Sequence, residues 1–518
     1  MSDTPVLIVG AGPTGLVLAL SLTRQGIPVR IIDKNQGPGE ASRAIVVHAR
    51  TLEFYDQLGF VDDIVSKGIK VETIHLRENK KEFAHFSLKD MGNGLSPFPF
   101  ALSLPQDDHE KVLVDQLKRA GVNIEWGTEL KSFTQDRLGV RAILDKAGTE
   151  EVTAASYLCG CDGAHSRVRK QLNIGFPGGT YDKLFYVADV KTNRESGSGL
   201  SLQLGSQSFV LMVPVRTSGS HRLIGTVPAD LASKEQLSFD DLRQTVEPVI
   251  GTTVDSVNWF STYRVHHRVA DKFREGRSFL LGDAGHLHSP AGGQGMNTGI
   301  GDAVNLSWKL AKVIGKQADP SLLDTYETER ISFARKLVAS TDKAFDAMVG
   351  GGLRGTFTRA VLVPYLVPLM AGFSGLRRKI FTTVSQVTIN YRHSSLSEGK
   401  AGHLEGGDRL PWISEPQSDN HKCLQRMNWQ VHIYGDASPA FVSEVKALGV
   451  DLYAFPDKAS ARKAGIKPDG AYLIRPDGYV ALAMRRQDAT PLKNFIEKHG
   501  LVFKQANAKK TIQAGPAP

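Results

Sequence analysis

Two glycine-rich stretches nearly three hundred residues apart hold the groups best suited to chemistry. The first lies in PVLIVGAGPTGLVLALSLTRQGIPVRIID, residues 5 to 33, and sets Gly10, Gly12 and Gly15 in G-x-G-x-x-G spacing. The second, GDAGHLHSPAGGQGMNTG, residues 282 to 299, holds six glycines and two histidines. Glycines at a strand-to-helix turn let backbone N–H groups and the positive end of a helix face an anion. In the first stretch Gly10 suits the tight turn, Gly12 the close approach of a pyrophosphate, and Gly15 the packing of helix on strand. Asp33 follows Gly15 by eighteen residues, where its carboxylate can accept from both ribose hydroxyls and repel a 2′-phosphate.

These groups need elements to hold them. Val6 to Val9 is an apolar run of the kind a buried parallel strand shows, Leu16, Leu20 and Leu22 populate a helix ending near Gly26, and Val29 to Ile32 forms a second strand. Ser278 to Leu281 reads as another buried strand, ended by Gly282 and Asp283. Beyond the loop, Ile300, Ala303, Leu306, Leu310 and Val313 recur on one helical face. Gly292, Gly293 and Gly295 strip side chains from the loop, so a flat ring can lie against its backbone. Asp33 alone does not separate NAD from FAD. A reduced flavin, however, carries negative charge at one end of its ring, which a helix N-terminus stabilises. The two turns then serve two ends of one long cofactor, with Asp283 in reach of the ribityl chain between them, and the pair favours FAD.

Between the turns, Arg43 falls in a loop and Thr51 to Leu58 reads as a helix. Asp107 and Asp108 are expected to cap a helix carrying Val112, Leu113, Leu117 and Ala120, with Gln106 just before it. In SYLCGCDGAHSRVR a short strand breaks at Asp162-Gly163, ahead of Ser166, Arg167 and Arg169. From Phe185 to Thr226 strand-like alternation replaces helical periodicity, which predicts an inserted antiparallel sheet suited to one wall of a substrate pocket.

The motifs GAGPTGL with Asp33, SRA…ARTLE, Gln106, CDGAHSRVR, GRSFLLGDAGHLHSPAGGQGMNTGIGDAVNLSWKLA and LLDTYETER together span about residues 5 to 335. In this set the chain resembles the single-component FAD-dependent aromatic hydroxylases, the phenol and hydroxybenzoate hydroxylase class of flavoprotein monooxygenases. The resemblance implies an α/β fold. A discontinuous Rossmann-like FAD domain would use residues 1–75, 105–180 and 255–350, with an inserted antiparallel substrate-binding sheet from 76–104 and 181–254. It implies FAD contacts from Gly10, Gly12, Pro13, Thr14 and Gly15, from Asp33, Lys34, Arg43 and Gln106, and from Asp162, Gly163 and Arg169. Gly282, Asp283, Pro290, Gly293, Gly295, Met296 and Asn297 would hold the other end. The reaction it implies is reduction of FAD by NADPH or NADH, addition of O2 at the flavin C4a, and delivery of one oxygen from that hydroperoxide to a phenolic or polycyclic aromatic substrate. NADPH is the commoner donor of the family, and no second dinucleotide unit is found here. The flavin carries the oxygen chemistry, so no protein nucleophile is expected.

On the substrate side the match to phenol hydroxylases is partial. Their acid after the SRA-like segment and their Arg-x-Tyr pair correspond here to Ile45 and Arg222-Leu223-Ile224. The arginine persists and the acid and tyrosine do not, which points to a different or larger substrate. His48, His288 and Tyr181 are candidate bases beside Arg222. An epoxidase, a Baeyer–Villiger oxygenase and a non-catalytic flavin-fold binding protein stay open as alternatives.

Residues 351–395 are expected to form a helical connector. In 396–504, WQVHIYG, DLYAFPD and AYLIRPDGYVALAM alternate with helix-like segments such as Pro439 to Leu448. That β-α-β order with a final hairpin resembles the thioredoxin-like C-terminal domain of larger family members. Cys423 is its one cysteine, so it lacks Cys-x-x-Cys and is expected to be structural and a candidate homodimer contact. Residues 505–518 read as a disordered tail. The other cysteines, Cys159 and Cys161, make neither a disulfide framework nor a zinc site, so no metal is expected and a reducing, cytoplasmic setting is. A net charge of +9 suits anionic small molecules, but the basic residues form no stripe, which argues against nucleic acid. AVLVPYLVPLMAGF, residues 360 to 373, is too short to span a bilayer and carries Pro364 and Pro368, so it is expected to be a buried or pocket-lining helix rather than a membrane-surface contact, with no stable membrane insertion. A usable strand begins at Pro5 after four polar or small residues, so no signal peptide is expected there.

Overall fold

The structure is a computed structural model that describes residues 4–39, 44–78, 81–88, 91–193, 197–204, 209–216, 220–349, 374–415, 418–503 and 513–514. The chain opens with β1 (Thr4–Val9), α1 (Pro13–Arg24) and β2 (Val29–Asp33), then β3 (Val46–Val47), α2 (Ala49–Leu58) and α3 (Val61–Val65). β4 (Ile69–Val71), β5 (Thr73–Glu78), β6 (Lys81–Ser87) and β7 (Ala101–Ser103) lead to α4 (Gln106–Arg119), β8 (Ile124–Trp126), β9 (Thr128–Gln135), β10 (Val140–Lys146), β11 (Thr149–Gly160) and α5 (Arg167–Gln171). β12 (Gly178–Thr192), β13 (Gly199–Leu204), β14 (Phe209–Val215), β15 (Ser220–Thr226), α6 (Phe239–Ile250) and β16 (Val254–Val269) follow. β17 (Arg274–Glu275), β18 (Ser278–Leu280) and β19 (His286–Leu287) precede the long helices α7 (Gly295–Ile314) and α8 (Asp324–Val349), and then α9 (Ser374–Val384).

Four of these strands, β18-β11-β1-β2, run parallel with β8 at the far edge, and the β9–β10 hairpin hangs antiparallel on β11. Val6, Leu7 and Ile8 are at most 1% exposed, as a strand covered on both faces requires. α1 and α7 approach closely because glycine lines their contact: a Cβ on Gly299 would stand 2.3 Å from Thr14 Oγ1, and one on Gly282 2.7 Å from it. The two glycine turns are therefore neighbours, joined at Thr14.

A second sheet runs β19-β16-β12-β15-β14-β13-β5-β6 and is antiparallel except where β13 meets β5. It is the inserted sheet expected from the sequence, but larger. β16 pairs along β12 from Gly178 to Thr192, and β19 pairs with β16, so residues 254–269 and 286–287 belong to this sheet and not to the FAD portion. β7 instead joins β3 and β4 in a small sheet of three strands. One face of the large sheet, with Tyr186, Ala188, Met212 and Leu223, packs under α6.

Of the expected connector, α9 is described; residues 351–373, including the apolar stretch 360–373, lie outside the described residues. The C-terminal unit contains β20 (Glu398–Ala401), β21 (Leu404–Glu405), β22 (Ser414–Glu415), β23 (Ser418–Asp419), β24 (Gln430–Tyr434), α10 (Pro439–Ala447), β25 (Asp451–Phe455), α11 (Ala459–Lys463), β26 (Ala471–Ile474), β27 (Val480–Met484) and α12 (Ala489–Lys498). The β-α-β order and final hairpin are present: β24 is parallel to β25 and antiparallel to β26, which pairs with β27. Of the expected tail, Gln513–Ala514 is described, as a short strand beside β25.

This unit shares a core with the first. Trp308, Ala318 and Leu322 pack with Trp429, Val431, Phe441 and Leu492. The β26–β27 turn carries charge into the junction. Arg475 Nη1 and Nη2 donate to fully buried Glu329 at 2.7 and 3.0 Å, Lys309 Nζ donates to the same carboxylate at 2.8 Å, and Trp308 Nε1 donates to Asp477 at 3.0 Å. Arg50 of α2 donates to the Asp477 carbonyl at 2.8 Å and pairs with Glu53, which Arg409 also holds. Burial opposes the Glu329 charge, but Arg475 and Lys309 outweigh it and keep the carboxyl well below its ordinary range.

Candidate functional site

At the C-terminal ends of β1, β2 and β11 the sheet opens into a groove of about 680 Å3. Such an edge is where open parallel sheets bind ligands. Gly10, Ala11, Gly12, Asp33, Lys34, Gln106, Asp162 and Gly163 line it. The local folding explains the glycines. Gly10 has φ +106°, and a Cβ there would meet Cys161 O at 2.3 Å; a Cβ on Gly15 would meet Gly10 O at 2.0 Å. Gly12 has nothing within 4 Å of its Cβ position, so its backbone faces open groove. It also N-caps α1 without a side-chain hydrogen bond, which leaves the helix start to a ligand. Asp33 accepts from Ala11 N (2.7 Å) and Asn35 N (2.8 Å), which fixes its carboxylate at the groove wall.

Gln106 is the first residue of α4, not the residue before it, and Pro105 caps that helix without a side-chain hydrogen bond, so Asp107 and Asp108 sit in the first turn rather than at the cap. Gln106 donates to Glu110 (2.8 Å) and accepts from Ala44 N (3.3 Å), and Glu110 accepts from Gly39 N (3.0 Å). Burial pushes the Glu110 carboxyl up. Asp162 takes Ser166 Oγ at 2.6 Å and the amides of Arg167 and Val168, holding the bend at Gly163. Arg169 is directed elsewhere: it donates to the carbonyls of Ala284 (2.8 Å) and Ala164 (2.9 Å), so it holds the Asp283 turn from behind. Arg43 lies outside the described residues. Sequence reasoning missed Asn35, Trp126 and Thr128, which also line the groove, as does Arg167. The signal for Trp126 was available: it ends a third parallel strand beside Asp33.

The second turn is built as tightly. Gly282 (φ +58°) begins a single turn that presents exposed Asp283. Behind it, Asp302 of α7 accepts from Gly282 N (3.0 Å), His286 Nε2 (2.7 Å) and Arg330 Nε (2.6 Å). Burial works against the Asp302 charge, and Arg330 and His286 override it to hold the carboxyl below its ordinary range. Gly292 and Gly293 have φ +76° and +63°, in a loop that follows exposed Pro290. α7 starts at Gly295 with no side-chain cap, and Met296 tucks against the main core. Asn297 stitches the ends together, donating to Val46 O (2.8 Å) and Gly293 O (2.9 Å) and accepting from His48 N (2.9 Å).

The chain's own geometry fits FAD: an open glycine turn and an uncapped helix start at one end, a glycine loop and a second uncapped helix start at the other, and Thr14 between them. When bound, FAD supplies redox chemistry that the side chains lack.

The substrate-side candidates occupy different places. His48 is buried and donates Nε2–H to Gly292 O at 2.8 Å; burial pushes its pKa down to about 4. His288 pairs Nδ1 with Ser289 O at 2.7 Å, and its buried Nε2 has no hydrogen-bond partner among the described residues. Burial lowers its pKa to about 4 as well. Tyr181 donates to Asp342 of α8 at 2.7 Å. Arg222 is fully buried in the large sheet and forks onto Asp189 at 2.7 and 2.8 Å. The structure thus brings His48 and Asn297 together at the ring-end loop and places Arg222 and Tyr181 on separate parts of the sheet.

Comparison with known proteins bears on the family of the chain. Residues 3–341 match the family model described as FAD binding domain. Over 100% of this chain and 98% of its own, the 6-methylpretetramide 4-monooxygenase of Streptomyces rimosus is 34% identical. The pentachlorophenol 4-monooxygenase of Sphingobium chlorophenolicum is 32% identical over 79% of this chain and 76% of its own. Among solved structures, the anhydrotetracycline hydroxylase from Streptomyces rimosus superposes with TM-score 0.77 at 27% identity, covering 96% of this chain and 99% of that one. The chain belongs to the FAD-binding domain family, among its FAD-dependent aromatic monooxygenases.

Proposed function

We propose that the protein is an NAD(P)H-consuming hydroxylase of a phenolic, preferably polycyclic, aromatic compound. The supporting observation is the inner face of the large sheet. Val187, Ile224, Leu211 and Leu202 stand opposite one another across β12, β15, β14 and β13. On the same face Val213 packs against Ile45, beside the ring-end loop. Val187 is buried, but Leu202, Leu211 and Ile224 are only half-buried, whereas the opposite face is closed under α6. A broad apolar wall with few polar groups suits a multi-ring substrate. The named relatives that act on tetracycline-type compounds favour the same class.

The glycine turns and Asp33 would hold FAD, which would supply the redox chemistry toward NAD(P)H and O2. The chain's residues bind and orient it, and the apolar sheet excludes water. His48 and His288, both neutral near pH 7, serve as a loop-holding donor and a hydrogen-bond acceptor respectively. The electron donor's phosphates would be met at the outer rim. There Arg268 supplies the positive charge, and burial together with that charge lowers the pKa of neighbouring His266. The buried thiols of Cys159 and Cys423 suit a reducing cytoplasm, and among the described residues no helix is long and apolar enough to cross a membrane. The β24–β27 unit is assigned as a redox-silent thioredoxin-like domain: Gly435 to Ser438, between β24 and α10, has no cysteine.

The test is NADPH and NADH oxidation by the FAD-loaded protein with a panel of phenols and aromatic polyketides. Substrate-dependent acceleration with a product one oxygen heavier supports the reading. A carbonyl-inserted or epoxide product would transfer it to the other oxygenations of this fold, and no acceleration with any aromatic compound would reject it.

A further inference from the structure

We infer that Asp189 and Arg222 form a positioning pair that sets the register of segment 44–48, which backs the ring-end loop, on the substrate sheet, an inference that rests on the function proposed above. Arg222 Nε and Nη2 take both oxygens of Asp189, at 2.7 and 2.8 Å. That fork fixes the guanidinium plane, and the remaining nitrogen, Nη1, donates to the Ala44 carbonyl at 3.2 Å. Ala44 O also accepts from Gln106 N at 3.1 Å. Two residues on, Val46 O is held by Asn297 in the first turn of α7. On its other side, Asp189 accepts from Arg216 Nη1 at 3.1 Å, and Arg216 reaches Asp107 and Asp108 at the start of α4 at 2.7 and 3.2 Å. A continuous polar path therefore runs from the centre of the sheet to both ends of the cofactor site.

Between the sheet and segment 44–48 the remaining contact is largely apolar, Ile45 against Val213 and Val215, with Ser103 Oγ of neighbouring β7 tied to Pro214 O at 2.6 Å; the ring-end loop itself meets the sheet through the β16–β19 pairing. Apolar contact resists separation but sets no register, because it has no direction. Directional bonds do. Oxygen transfer depends on that register, since displacing a reacting atom by about 1 Å costs on the order of a hundredfold in rate. Neither Asp189 nor Arg222 has to touch substrate for this. The pair acts through Ala44, which gives a structural role to an arginine held wholly buried among the apolar side chains of the sheet.

The experiment uses Arg222→Lys and Asp189→Asn in the FAD-loaded full chain. Lysine keeps the charge beside Asp189 but lacks the planar fork that reaches Ala44. Two readouts need no turnover: hydrogen exchange of the segment 44–48 and the visible circular dichroism of bound FAD. A third is product formed per NADPH consumed. For Arg222→Lys the expected result is unchanged FAD content, exchange in 44–48 faster by about tenfold, an altered flavin dichroic band, and product per NADPH down about fivefold or more with peroxide in its place. Wild-type exchange and dichroism in Arg222→Lys would overturn the inference. Should Asp189→Asn fail to fold, Arg222→Lys alone decides. If the wild type oxygenates no aromatic compound, the proposed function fails, while exchange and dichroism still decide the pair.

Discussion

Gly12 and Gly15 stand three residues apart and answer to different neighbours. A methyl group on Gly15 would collide with Gly10 O, whereas one on Gly12 would enter empty groove. Gly15→Ala should therefore destabilise the chain by about 1–3 kcal/mol, the usual cost of overpacking. Gly12→Ala should melt like the wild type without cofactor yet bind FAD far more weakly. Thermal unfolding of the apoprotein, paired with FAD titration, reads both. Asp283→Ala should weaken FAD by about tenfold, the worth of one hydrogen bond to a charged group, and leave the large sheet intact; full flavin occupancy in that variant would remove Asp283 from the site. These roles were legible because glycine spacing is local. Asp189 and Asp302 were not: each is a lone acid in an apolar strand or helix, and only the fold shows the arginines that meet them. Arg169 faces backbone carbonyls, a partner that the CDGAHSRVR pattern cannot reveal.

Elements carry a second kind of dependence. The β26–β27 turn inserts Arg475 and Asp477 between α2, α7 and α8. Arg475→Met leaves Glu329 and Lys309 buried without their fork, and breaking a buried pair in this way costs about 3–5 kcal/mol. Urea unfolding should show that loss, with FAD released in the same transition because α7 carries the ring-end loop. A stability within about 0.5 kcal/mol of wild type would mean the cluster is replaceable. Removing residues 400–518 should for the same reason cost the flavin site its stability rather than disturb assembly alone. Strand order and the final hairpin were legible from alternation. The docking was not, because Lys309, Glu329 and Arg475 look like surface charges in sequence; LLDTYETER, which ends in Glu329-Arg330, held the one hint.

Over the whole molecule, burial keeps several histidines neutral. His48, His288 and His421 are pushed down to about 4, and His109 and His432 to about 3. Below about pH 6.5 the unfolded chain takes up these protons and the folded chain does not, so stability falls as pH falls, by up to about 1.4 kcal/mol per pH unit for each group. Asp56, pushed up to about 6 by burial, works in the opposite direction, as does Glu110. The histidines outnumber them. Melting temperature should hold from pH 8 to 7 and decline from about pH 6.5, above the range where Glu53, held down at about 2 despite its burial by Arg409 and Arg50, loses its charge. Net proton uptake on unfolding at pH 5.5 checks the sign, and proton release would refute it.

The central claim is that this FAD site and the apolar sheet beside it together place one oxygen atom on an aromatic ring. Its most direct test is mass spectrometry of the product formed from an aromatic polyketide by the FAD-loaded protein with NADPH under 18O2. A hydroxylated product carrying one 18O atom, in step with NADPH consumed, is the expected result. Product without label, or turnover of the polyketide that needs neither NADPH nor O2, would contradict it.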